Sequence, residues 1–155
     1  MWAVAIGLVS IFQSKLPSVT EGDVIVAAEP DAAFRAVTDY GRWPQIFKNV
    51  RRAVVGENAR VTFVHDDGST DVLQFKNRAD QHVVWFQQIG GDADVWAETT
   101  FAPGPEPGTT HVHARFYADV TGAASWFVSD GKVRKLREKQ VRDDLSQLAA
   151  YFARR

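Results

Sequence analysis

The 155-residue sequence has no cysteine and only one methionine. The first absence excludes a disulfide-stapled scaffold and a thiolate zinc site. A dominant charge is missing as well. Eighteen Lys and Arg stand against 19 Asp and Glu, for a formal net charge of −1. That balance argues against bulk binding to a phosphate backbone, so nucleic acid is not an expected partner. There is no glycine-rich phosphate loop and no Gly-x-Ser-x-Gly elbow. Nucleotide binding and serine-nucleophile chemistry therefore lack their usual anchors.

Long apolar runs are missing too. Residues 2–12 run from Trp2 to Phe12 with Ser10 the only polar side chain, well short of the roughly 20 apolar residues needed to cross a bilayer. The length suits the apolar region of a signal peptide. However, no Lys or Arg precedes it and no Ala-x-Ala-like site follows. The segment reads as a packed element outside the main domain. Export or membrane anchoring is the alternative, and the cytoplasm is the expected location.

What the chain does have is apolar and aromatic mass: 45% apolar residues, with 10 Phe, 5 Trp and 3 Tyr. That is far more than a disordered chain carries. A chain of this length buries roughly 68–70% of its unfolded surface, which suits one domain with an ordinary core. Residues 1–22 form the N-terminal segment, ending in a turn-rich junction, and 23–155 form the domain.

Residues 23–28 read as a strand. Pro30 then sits at a first helical position, where its missing N–H costs nothing, and Ala33, Phe34, Val37 and Tyr40 follow at helical spacing. Gly41 ends that helix, and Trp43-Pro44 opens a second short one. From Val50 the period becomes that of strands, over 50–55, 60–65, 70–76, 82–89, 95–101 and 111–120, with turn residues between them. Pro103, Pro105 and Pro107 interrupt the last hairpin and mark a loop. Val141, Leu145, Leu148 and Phe152 then form one helical face, extended backwards through Leu136 and Val133. This final helix is the only element long enough to cover the apolar face of the strands.

The motif Val24-Ile25-Val26, Ala28, Pro30, Phe34, Val37, Asp39-Tyr40, Trp43-Pro44, Phe47 and Val50 resembles the opening of the START-like (SRPBCC) helix-grip superfamily. Within it, the match is to the polyketide cyclase/dehydrase and lipid transport branch, and the element order agrees over residues 23–154. The resemblance implies an α+β helix-grip fold: a curved antiparallel sheet of six to seven strands around a long C-terminal helix, with two small helices after the first strand. It also implies a hydrophobic cavity for a lipid, quinone or polyketide-like molecule, held by a carrier or binding protein. A cyclase- or dehydratase-like enzyme is the alternative, and a protein-interaction module without a small ligand is the second.

For the cavity, the expected lining is Trp43, Phe47, Phe63, Phe75, Phe86, Phe116, Trp126 and Leu136, although aromatics at strand period also serve as ordinary core. Arg115 or Tyr117 would anchor the ligand if they faced inward. The resemblance places no catalytic residue. The residues themselves offer Asp39, Glu98 and His113 as weak acid/base candidates. A proline loop centred between Pro105 and Glu106 would set Glu98 opposite His113, and His111, His113 and Glu98 would then be an adequate zinc set. A solvated outer face with cross-strand pairs is the simpler reading, so neither metal nor cofactor is expected. Asp66-Asp67-Gly68 has turn chemistry without the closing Glu of a calcium loop. Finally, Lys132, Arg134, Lys135, Arg137, Lys139 and Arg142 make one basic stretch. It reads as the solvated back of the last helix, with an anionic membrane surface as its functional alternative.

Overall fold

The computed structural model describes residues 18–90, 93–120 and 130–154. The segment 2–12 and Trp126 lie outside the described residues. Seven strands form one antiparallel sheet: β1 (Ser18–Val26), β2 (Val50–Val55), β3 (Arg60–His65), β4 (Thr70–Arg78), β5 (Val83–Gln88), β6 (Ala93–Pro103) and β7 (Thr110–Val120). Their order across the sheet is β1-β7-β6-β5-β4-β3-β2. Between β1 and β2 lie α1 (Pro30–Thr38), a single 3-10 turn and α2 (Trp43–Ile46), and the chain closes with α3 (Asp130–Ala153). This is the expected helix-grip arrangement. β1 runs back through residues 18–22, where the sequence reads as a junction, because pairing with β7 holds Ser18 opposite Ala118.

Period-two alternation decides which side chains meet the helix. On β7, Val112, Ala114 and Ala118 are buried, while His111, His113, Arg115 and Tyr117 belong to the outer face. Gly22 of β1 pairs with Ala114. A β-carbon at Gly22 would stand 2.8 Å from Val141 Cγ1 and 2.9 Å from Leu145 Cδ1 of α3. The missing side chain is therefore what lets the helix settle on the sheet. On the far side, α1 buries Ala33, Phe34, Ala36 and Val37. The indole Nε1 of Trp43 donates to the Val37 carbonyl at 2.8 Å, satisfying a carbonyl near the end of α1 and fixing the corner between the small helices.

The β6–β7 hairpin is centred one residue later than the sequence reading. Gly108 takes a φ of +78° after Pro107, and Thr109 N donates to the Glu106 carbonyl at 3.2 Å. Pro and Gly thus occupy the central positions of a type II-like turn. Glu98 consequently pairs with Arg115, and His113 pairs with Thr100.

Candidate functional site

A cavity of about 190 Å³ lies between the concave face of the sheet and α3. Its apolar wall comes from Val37 of α1, Trp43 and Phe47 around α2, and the inward positions Phe63, Val84, Phe86, Phe101 and Phe116 of the strands. Val141, Leu145 and Leu148 of α3 close it. Trp43 stacks on Phe63 with ring centroids 4.3 Å apart, and Phe86 meets Phe116 edge-on at 5.7 Å. Such contacts fix the rings and leave the space defined by shape.

Of the expected lining residues, Trp43, Phe47, Phe63, Phe86 and Phe116 stand on the cavity wall. Phe75 does not. It is buried behind the wall, between Tyr40 at 4.4 Å and Phe86 at 5.5 Å. Leu136 is 68% exposed. At about 100° per residue it lies roughly 140° around the helix from Val141, so the apolar face cannot extend through it. Instead Leu136 lines a shallow surface groove with Lys48, Lys139 and Gln147, which shares Asn49, Gln140 and Asp144 with the cavity. Groove and cavity thus adjoin at these three side chains.

That end of the cavity is polar. His65 of β3, Asp71 of β4 and Gln88 of β5 keep the inward parity of Phe63, Leu73 and Phe86. His65 Nε2 lies 2.7 Å from Asp71 Oδ2 and its Nδ1 lies 3.3 Å from the Asn49 carbonyl. The Gln88 amide donates to Asp71 Oδ1 at 3.4 Å. From α3 come Arg137, Gln140 and Asp144. Burial, helped by the neighbouring Asp143 carboxylate, pushes the Asp144 carboxyl up to about 6. Desolvation lowers the pKa of Arg137, against the opposing pull of Asp71. The guanidinium lies 5.9 Å from the centre of the Phe116 ring.

None of the three acid/base candidates lines the cavity. Asp39 is half exposed at the end of α1 and bonded to Arg42 at 2.8 Å. Glu98 faces outward opposite Arg115. His113 is also on the outer face, where it and His111 share Asp23 Oδ1 at 2.8 and 2.7 Å. The His113 bond, with that of His111, holds the Asp23 carboxyl below its ordinary value. With Glu98 elsewhere, the imagined zinc set does not converge, and among the described residues no group of three suits a metal. Arg115 bonds Glu21 at 2.6 Å and Tyr117 stacks on Trp96 at 5.4 Å, both on the outer face, so neither anchors a cavity ligand.

The Asp66-Asp67-Gly68 turn is closed by Asp67 accepting from the Ser69 amide at 2.9 Å and the Ser69 hydroxyl at 2.6 Å. On the basic stretch, Lys135 and Arg142 are exposed, and Lys139 pairs with Asp143 at 2.5 Å. Arg137 turns away from that surface into the cavity. The side chains of Lys132 and Arg134 lie outside the described residues. No described helix is long and apolar enough to cross a membrane.

A family model described as polyketide cyclase / dehydrase and lipid transport matches residues 18–153. No curated protein sequence matches significantly. Among solved structures, a START superfamily protein from Mycobacterium smegmatis superposes with a TM-score of 0.75 at 15% identity, covering 88% of this chain and 97% of its own. The XoxI protein from Bacillus cereus gives 0.75 at 14%, covering 88% and 96%. The Zhui aromatase/cyclase from Streptomyces sp. R1128 gives 0.72 at 16%, covering 90% and 95%. At such identities these likenesses show the fold alone.

Proposed function

Because the chain belongs to the polyketide cyclase / dehydrase and lipid transport family, we propose that it binds one small, largely apolar molecule between the sheet and α3, as a carrier or binding protein. The observation that carries this reading is the cavity itself, lined mainly by aliphatic and aromatic side chains, with most of its polar groups gathered toward the end it shares with the groove. An apolar cavity of about 150 Å³ already holds a benzene ring. A space of about 190 Å³ therefore suits a ring system or short chain, with its polar end toward Asn49, Gln140 and Asp144. Apolar walls supply affinity by area, and the few polar groups set orientation.

The test is calorimetric titration with lipids, quinones and aromatic polyketides. At least one class is expected to bind. Thr99→Phe, which puts a ring into the cavity from β6, should weaken that binding at least tenfold without loss of cooperative unfolding. Failure of every class to bind would overturn the reading.

A second reading, a cyclase- or dehydratase-like enzyme, draws on one observation. The Asp144 carboxyl titrates near 6 at the cavity wall, where a general acid or base works at neutral pH. Turnover of a bound ligand, lost in Asp144→Asn with binding retained, would establish it.

A further inference from the structure

We infer that the polar end of the cavity is a carboxylate-binding subsite, with Arg137 as counter-charge, so that the ligand is an apolar acid. This rests on the cavity reading above and narrows it to one ligand class.

Arg137 is one turn from Val141 on the face of α3 that closes the cavity, and its guanidinium leans on Phe116 at the boundary between aromatic wall and polar end. Among the described residues no carboxylate forms an ion pair with it. The two acids on the same wall are otherwise engaged. Asp71 has Oδ2 held by His65 and Oδ1 by Gln88. Asp144 behaves as a carboxyl disfavoured in its charged form, acted on by burial and Asp143 rather than by a neighbouring cation.

A half-buried guanidinium without an ion-pair partner among the described residues carries a desolvation cost, and the same desolvation depresses its own pKa. Its planar fork of five donors fits two carboxylate oxygens at once, which a neutral oxygen cannot match. A ligand carboxylate in that place would recover the lost hydration while its apolar body lay against Trp43, Phe63 and Phe86.

The experiment compares isosteres of different charge at pH 7.5 by calorimetry: 1-naphthoic acid, 1-naphthamide and 1-naphthylmethylamine, and the corresponding octanoic acid, octanamide and octylamine. The two series distinguish an aromatic from an aliphatic body. In at least one series the acid is expected to bind at least tenfold tighter than the amide. Arg137→Met, which keeps an apolar stem on α3 while removing the guanidinium, should bring that ratio near one by weakening the acid alone. Arg137→Lys should keep a reduced preference, and it serves if the Met variant does not fold. An amide or amine that binds the wild type as well as the acid overturns the subsite but leaves the cavity reading standing, as does a preference that survives Arg137→Met. Absence of binding by all six compounds overturns the subsite, and overturns the cavity reading too when the lipids, quinones and aromatic polyketides also fail to bind.

Discussion

At the scale of single residues, the most informative group is Asp144. Its folded-state value of about 6 lies above the ordinary 3.8, so between those values the folded protein holds a proton that the unfolded chain has released. Stability therefore falls as pH rises through that window and levels off above 6. Asp144→Asn removes the buried charge. It should match the wild type near pH 4 and exceed it at pH 7.5, by on the order of 1–3 kcal/mol. Urea midpoints at the two pH values check this, and an equal gap at both would contradict it. Asp39→Asn and Glu98→Gln touch neither wall nor groove, so ligand affinity should stay within twofold of wild type by calorimetry.

The polar end was readable in principle. His65 follows Phe63 by two, Asp71 precedes Leu73 by two and Gln88 follows Phe86 by two, all inside strands visible in the sequence. Period two alone assigns them inward. What hid them is the habit of giving polar residues to water, which fails where a sheet lines a cavity.

At the scale of elements, helical spacing places Arg137 and Asp144 at four before and three after Val141, on the covered face, and turns Leu136 outward. A stripe defined by apolar residues alone reads past a cavity, because the positions over empty space need not be apolar. Close packing is instead strict at Gly22. Gly22→Val should destabilise by about 1–3 kcal/mol, since Val141 and Leu145 of α3 already occupy the space. A denaturant midpoint unchanged from wild type would mean that α3 sits farther from β1. The β6–β7 register shows the other limit of sequence. Three prolines announce the loop, but its centre depends on which Gly takes positive φ, and here it is Gly108.

At the scale of the whole molecule, the architecture follows from element order. One strand, two short helices, six strands and a long helix leave a sheet with one face to cover and one helix to cover it. The aromatics Trp43, Phe63 and Phe86 were legible as inward residues. Whether each fills core or lines space was not, because Phe75 has the same parity as Phe63 and yet packs behind the wall. The Tyr40 ring lies 4.4 Å from Phe75, a contact from outside the sheet that no local spacing encodes.

The account's central claim is that the space under α3 is occupied in use. Native mass spectrometry of the purified protein, compared with its denatured mass, tests this most directly when run with the apolar compounds above added at excess. The account predicts a one-to-one adduct that leaves on unfolding and is lost in Thr99→Phe. A clean apoprotein mass under every condition would contradict it.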